Sequence, residues 1–176
     1  MSIRQGDGVY TASYHTRWGD GRVYVRDGRL VGVDLPGEGP AGEGAPAGPV
    51  GPGAGAAAAD AEALSFWSGQ LEAYFAGDRA TWVDAEVPLG HLGLGTFEQA
   101  VYRTLLSIPP GETVSYGELA EMAGYPRAAR AVGNAMACNP IPVVVPCHRV
   151  VRSDGSMGNY GNDPRWKPVL LAHERS

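Results

Sequence analysis

Cysteine is scarce: the 176 residues contain two, Cys138 and Cys147, too few for a disulfide framework or a four-cysteine zinc site. Long apolar runs are missing as well. The longest near Cys147, Ile141-Pro142-Val143-Val144-Val145, falls far short of the roughly 20 residues that cross a bilayer, so no membrane partner is expected. The opening residues, Met1-Ser2-Ile3-Arg4-Gln5-Gly6-Asp7, lack the apolar core of a secretory signal, and a cytoplasmic location is the expectation. Positive charge is also short. The net charge of −5, taken whole, argues against a nucleic-acid binder. Its distribution changes that: residues 1–95 hold 6 Lys/Arg against 12 Asp/Glu, and residues 96–176 hold 8 against 7. The C-terminal half can touch phosphates locally without holding DNA tightly by charge alone.

Glycine and proline are plentiful, 26 and 14, about 23% of the chain against roughly 12% in average usage. The hydrophobic share of 44% and aromatic share of 9% still suit a packed core rather than disorder throughout. Alternation in Val9–Tyr14, Arg22–Val25 and Arg29–Leu35, with turn signals at Gly19-Asp20-Gly21 and Asp27-Gly28, predicts three antiparallel strands. From Pro36 to Ala59, 21 of 24 residues are Gly, Pro or Ala, which predicts a flexible surface excursion with no core.

Asp60 reads as the N-cap of a helix carrying Leu64, Trp67, Leu71, Tyr74 and Phe75 on one face. Thr96-Phe97-Glu98-Gln99 reads as a capping box for a helix with a stripe of Ala100, Val101, Leu105 and Leu106, stopped by Ile108-Pro109-Pro110-Gly111. A second capping box, Ser115-Tyr116-Gly117-Glu118, opens a short helix to Met122, and Gly124-Tyr125-Pro126 turns the chain into a helix from Arg127 to about Ala137. Two short helices joined by a Gly-containing turn read as helix-turn-helix. The second is nearly bare: Ala128, Ala129, Ala131, Gly133, Ala135 and Ala137, with Arg127 and Arg130 its only charges. Close burial against neighbours and approach of the backbone to a nucleic-acid groove both fit that composition.

Asn139-Pro140-Ile141-Pro142-Val143-Val144-Val145-Pro146-Cys147-His148-Arg149-Val150 is the most informative stretch. Its prolines exclude helix at Asn139 and Ile141, the valines predict a buried extended run, and Pro146 breaks any ladder before the cysteine. A thiol near its ordinary pKa of about 8.5 is only a few per cent thiolate at neutral pH, so a nucleophilic Cys147 needs an acceptor, for which His148 is the candidate. Neighbours on a strand point oppositely, so the pair can meet only if the backbone turns at Cys147. A third group would orient the imidazole, and Glu174 is the candidate. A buried thiol beside a surface histidine is the competing reading.

From Thr96 to Glu174 the chain resembles the O6-alkylguanine-DNA alkyltransferases, also called methylated-DNA–protein-cysteine methyltransferases. The motifs are Pro109-Pro110-Gly111-Glu112-Thr113-Val114-Ser115-Tyr116, Arg130-Ala131-Val132-Gly133, Asn139-Pro140, Pro146-Cys147-His148-Arg149-Val150, Gly158-Asn159-Tyr160 and Leu170-Leu171-Ala172-His173-Glu174. The resemblance implies an α+β fold: a small N-terminal antiparallel sheet with helices, ribonuclease H-like, over residues 1–92, then a helical DNA-binding and alkyl-transfer domain over 93–176 with a helix-turn-helix and the active cysteine. It implies direct reversal of DNA damage, in which Cys147 irreversibly takes the alkyl group from O6-alkylguanine, and from O4-alkylthymine, in double-stranded DNA, once per molecule. A monomer acting without cofactor or metal is expected.

Carried over by position, His148 is the general base through a water, Glu174 orients it, and Asn139 holds the turn bearing Cys147. Tyr116 presses on the target nucleotide and gives a hydrogen bond to guanine N3. The base must be swung out of the duplex; Arg130 fills the gap, Ala129, Ala131 and Gly133 let the recognition helix enter the minor groove, and Ser115 is a further DNA-binding residue. Met136, Pro142, Val150, Met157, Tyr160 and Gly161 line the alkyl pocket. Arg149 is assigned a salt link beneath the loop. Departures follow Tyr160, where Gly161-Asn162-Asp163-Pro164-Arg165-Trp166-Lys167 replaces a glycine-richer loop, so that Asp163 and Trp166 would narrow or recharge the entrance. Ala137 and Cys138 replace an Arg and a Gly of many relatives, removing one phosphate contact. Two rivals differ in chemistry: a non-catalytic alkyltransferase-like lesion sensor, in which another residue stands at the cysteine's place, and a cysteine hydrolase that turns over without DNA.

Overall fold

Asp27 and Gly28 both take left-handed backbone angles, φ 51° and 70°, the pair that a two-residue hairpin turn requires. They fold strand β2 (Gly19–Arg26) onto β3 (Arg29–Asp34), and β1 (Tyr10–Thr16) pairs with the other edge of β2, giving an antiparallel sheet in the order β1-β2-β3. The computed structural model describes residues 8–37, 57–78, 82, 87, 89–158, 160–161 and 163–176. Two compact units are delimited, Met1–Ala80 and Thr81–Ser176, so residues 81–92 group with the second unit rather than with the first.

The first hairpin corrects the sequence expectation. Its turn is Arg17-Trp18, closed by Thr16, whose hydroxyl donates to the Gly19 carbonyl and accepts from the Trp18 amide. Gly19-Asp20-Gly21 lies inside β2. Gly21 is glycine for another reason: it faces Tyr14 across the ladder, and a Cβ there would sit 2.1 Å from the tyrosine ring.

Helix α1 (Ala58–Ala76) starts before Asp60, with Ala57 as N-cap. Asp60 is buried in the first turn and accepts the Gly28 amide hydrogen at 2.7 Å, an acid where the helix dipole favours one. The expected face of Leu64, Trp67, Leu71, Tyr74 and Phe75 is buried, Phe75 stacking on Tyr14, and Gly77 ends the helix at φ 112°. Of the expected 36–59 excursion, Pro36-Gly37 forms a turn and Ala58-Ala59 are helical; residues 38–56 lie outside the described residues.

In the second unit α2 (Thr96–Leu106) is capped by Gly95, with no side-chain cap from Thr96. The Glu98 carboxylate occupies the space beside Gly95 that a Cβ would need. Its buried face is Val101, Tyr102 and Leu105, with Ala100 and Leu106 half-buried. The Ser115–Glu118 capping box is present in full and opens α3 (Tyr116–Met122). Helix α4 runs Ala129–Ala137, two residues later than its sequence suggests, because Arg127 takes φ 69° in the preceding turn. The connection is six residues, 123–128, not three. Residues 114–115 (β4) pair in parallel with Val150–Val151 (β5), which sets the start of α3 beside the cysteine segment. Helix α5 (Trp166–Arg175) buries Trp166, Lys167, Leu170, Leu171 and Glu174, a helical stripe that includes two charged groups. No described helix is long and apolar enough to cross a membrane.

Candidate active site

Asn139 builds the loop that carries the cysteine. Its Oδ1 accepts the Ile141 amide at 3.1 Å, and its Nδ2 donates to the Val145 carbonyl at 2.8 Å and to Cys147 Sγ at 3.1 Å. The three valines are buried, as predicted, but not extended. Val143 and Val144 form a tight turn in which Val143 has φ 72°, and the Val145 amide returns to the Ile141 carbonyl at 2.9 Å. A β-branched residue at positive φ is an outlier that needs surrounding structure to hold it. Complete burial of Ile141, Val143, Val144 and Val145 and the Asn139 side chain supply that structure. Cys147–Arg149 then form one turn of 3-10 helix, so the backbone turns where a Cys-His pair requires.

Cys147 and His148 are buried, at 5% and 0% exposure. Burial pushes the Cys147 thiol up, while hydrogen bonds involving Asn139 and Tyr160 and the charge of Lys167 pull it back. His148 Nε2 pairs with Glu174 Oε1 at 2.7 Å, and its Nδ1 is buried without a hydrogen-bonding partner among the described residues. With Glu174 accepting the Nε2 hydrogen, Nδ1 is left as the ring's lone-pair nitrogen. Burial moves His148 below its ordinary value, against the opposing pull of Glu174, so the ring is neutral at pH 7. Burial would raise the Glu174 carboxyl, but hydrogen bonds from His148 and Arg149 outweigh it and hold the acid well below the usual range.

Beneath the loop Arg149 donates to both Glu174 oxygens, at 2.8, 3.0 and 3.3 Å, and to the Ile108 carbonyl, which makes the salt link anticipated for it. The Gly111 amide completes the carboxylate at Oε2, 2.8 Å away. Tyr116 is half-buried at the head of α3, its hydroxyl 3.5 Å from Lys167 Nζ. Gly133 on α4 and Gly158, at φ 65°, both face its ring.

Hydrogen bonds and charge thus bring Asn139, Cys147, Tyr160 and Lys167 together, with Tyr116 joined through Lys167. Arg130 and Ala131 are exposed on α4, Ala129 and Gly133 partly so, and Ser115 caps α3. Met136, Val150 and Tyr160 are buried and Pro142 half-buried, whereas Met157 and Gly161 are exposed. In the segment after Tyr160, Asp163 is paired with Arg165, which donates to both carboxylate oxygens, and Trp166 is buried at 7% exposure.

Sequence reasoning missed Lys167. Its charge favours the Cys147 thiolate, and burial lowers its own pKa to about 8. A signal existed, for it is the only lysine in the chain and sits on the apolar stripe of α5, where an unpaired charge is rarely placed without cause.

A buried cysteine with convergent donors, beside a histidine held by a carboxylate, is the set of groups that nucleophilic thiol chemistry needs. A family model of the DNA-binding domain of 6-O-methylguanine DNA methyltransferase matches residues 96–176. A methylated-DNA–protein-cysteine methyltransferase of Mycobacterium bovis is 50% identical over 108 residues, 61% of this chain and 62% of its own length. That of Mus musculus is 49% identical over 111 residues, 59% of this chain and 51% of its own. The chain therefore spans less than two thirds of these relatives. The crystal structure of the Mycobacterium tuberculosis O6-methylguanine methyltransferase superposes with a TM-score of 0.72 at 34% identity, over 95% of this chain and 93% of that one. The M. tuberculosis protein in complex with DNA gives 0.72 at 34%, over 94% and 92%. The chain belongs to the O6-methylguanine-DNA methyltransferase family, with the family's α+β architecture of a small antiparallel sheet and helices.

Proposed function

We propose that this protein repairs alkylated DNA by one irreversible transfer: the Cys147 sulfur takes the alkyl carbon from O6 of an O6-alkylguanine, or from O4 of an alkylthymine, in a duplex. The observation that carries the reading is the environment of the sulfur. Burial keeps it a thiol at rest, Asn139 Nδ2 and Lys167 stand ready to stabilise the thiolate, and the lone pair of His148 Nδ1 belongs to the adjacent residue.

In the step, the thiol proton passes through a water to His148. The sulfur–carbon bond forms as the carbon–O6 bond breaks, and the electron pair stays on the purine. Tyr116 gives a hydrogen bond to guanine N3 as negative charge builds there, and the proton held by His148 returns to the guanine. The step balances without a cofactor. Burial raises the Tyr116 hydroxyl, which keeps it a donor throughout.

The second unit is read as the DNA-binding and transfer domain and the first as a ribonuclease H-like domain. Helices α3 and α4 act as a helix-turn-helix whose thin face, Ala129, Ala131 and Gly133, enters the minor groove beside Ser115. Arg130 fills the space left by the extruded base. Met136, Pro142, Val150, Met157, Tyr160 and Gly161 form the alkyl pocket. The protein works as a cytoplasmic monomer. The DNA bound by the M. tuberculosis relative supports DNA as the partner.

Intact-mass analysis after incubation with O6-methylguanine duplex tests the reading. One methyl mass, located on Cys147 and absent from Cys147→Ala, is expected, with DNA binding retained by the variant. No adduct on the wild type, with the lesion still in the duplex, overturns transfer.

A further inference from the structure

We propose that Arg149 is a positioning residue for the reaction: by filling the Glu174 carboxylate it holds His148 as the uncharged ring, hydrogen on Nε2 and lone pair on Nδ1. The inference rests on the alkyl-transfer reading and concerns how the base of that site is kept ready.

The geometry is a carboxylate with every direction occupied. Glu174 Oε1 accepts from His148 Nε2 at 2.7 Å and Arg149 Nη2 at 2.8 Å; Oε2 accepts from Arg149 Nε at 3.0 Å and the Gly111 amide at 2.8 Å. Glu174, Arg149 and His148 are all within a few per cent of full burial. Charge in such a place must balance. With Arg149 positive and Glu174 negative the cluster is neutral only while His148 is uncharged, and a proton on the ring would leave a net positive charge in the interior. Without the guanidinium the preference reverses: an imidazolium beside Glu174 is then the neutral arrangement, and the ring has no lone pair left to take the thiol proton.

Of the other charged groups acting on His148, Lys167 works in the same sense as Arg149. Glu174 and Lys167 come from α5, and Arg149 follows it in the chain; of these only Glu174 favours the charged ring. Cys147, which precedes it, is held as the neutral thiol by burial. Gly111 belongs to the same device. It can approach Glu174 because it takes φ 80°, and a Cβ there would meet the Glu174 carbonyl at 3.2 Å.

The test is nitrogen-15 NMR of His148 in the full-length unmethylated protein, together with the pH profile of methyl transfer from O6-methylguanine duplex. In the wild type, the ring is expected to keep its hydrogen on Nε2 and to titrate below the ordinary histidine value of about 6.5. In Arg149→Gln, His148 is expected to titrate at least about one pH unit higher than in the wild type, and the acid limb of the transfer rate to move by the same interval. Arg149→Lys restores both. An imidazolium or an Nδ1–H tautomer in the wild type at pH 7 overturns the proposal, as does a folded Arg149→Gln whose titration and acid limb are unchanged. If Arg149→Gln does not fold, the wild-type spectrum decides alone. A wild type that acquires no methyl mass sinks the transfer reading, while the NMR titrations still decide the role of Arg149.

Discussion

His148 and Glu174 meet at 2.7 Å through Nε2 and Oε1, both side chains out of solvent, and the two halves of this pair carry different loads. His148 is the proposed base, so His148→Gln is expected to slow single-turnover transfer about 10²- to 10⁴-fold while leaving the Glu174–Arg149 pair standing. Glu174 also answers the Arg149 charge, so Glu174→Gln is expected to cost about 3–5 kcal/mol of stability by stranding a buried cation. Transfer kinetics by intact mass and urea unfolding separate the two. Equal stability losses in both variants would contradict the division.

Acid should destabilise the fold in two stages. Unfolded His148 takes up a proton near 6.5, whereas burial keeps the folded ring neutral to lower pH. Below that point the unfolded chain binds more protons, and stability falls as pH drops. Glu174, held as a carboxylate well below its unfolded value of 4.5, adds stability that is present above that value and lost on further acidification. His15, raised by its hydrogen bond to Asp20 at the surface, pulls weakly the other way. The urea midpoint is therefore expected to decline below about pH 6.5 and more steeply below about pH 4.5, with the first decline missing from His148→Gln.

Local patterns that carry their own hydrogen bonds were legible in the sequence. The Ser115–Glu118 box, the apolar face of α1 and the Asp27-Gly28 turn stand where residue chemistry put them, and the Cys147–His148–Glu174 grouping was implied by the family resemblance. Long-range determinants were not legible. Gly21 looks like a turn glycine, but its missing side chain makes room for Tyr14. The Val143-Val144 turn contradicts β-propensity, because Asn139 fixes it through bonds to residues two, six and eight positions on. Lys167 stands on the apolar stripe of α5, and only tertiary packing makes its charge bear on the sulfur.

Asn139 should matter to both stability and chemistry, and two substitutions divide the effects. Asn139→Ala removes three hydrogen bonds and is expected to cost about 2–4 kcal/mol at roughly 1 kcal/mol each. Asn139→Asp keeps the acceptor for the Ile141 amide but turns an anion toward Cys147 Sγ. Its thiol is expected to titrate higher than in the wild type, with a rate loss larger than the stability loss implies. Thiolate absorbance against pH and urea unfolding measure the two. An Asn139→Asp thiol that titrates at or below the wild-type value would show that the amide does not stabilise the thiolate.

Two glycines face the ring of Tyr116 and should respond oppositely to the same added methyl. At Gly158 a Cβ would lie 3.0 Å from the Tyr116 hydroxyl, and the backbone is already at φ 65°, so Gly158→Ala is expected to lose about 1–2 kcal/mol and to displace the tyrosine. Transfer then slows even where duplex binding is intact. At Gly133 the nearest ring atoms would be 4.0 Å away, ordinary contact within a helix, and Gly133→Ala is expected to gain about 0.5–1 kcal/mol. Its cost falls elsewhere: the methyl thickens the face of α4 assigned to the minor groove, so duplex affinity drops while the intrinsic reactivity of Cys147 toward free O6-benzylguanine is unchanged. Melting and duplex titration of the two variants side by side test this, and a Gly133→Ala protein that binds duplex as the wild type does would remove α4 from the interface.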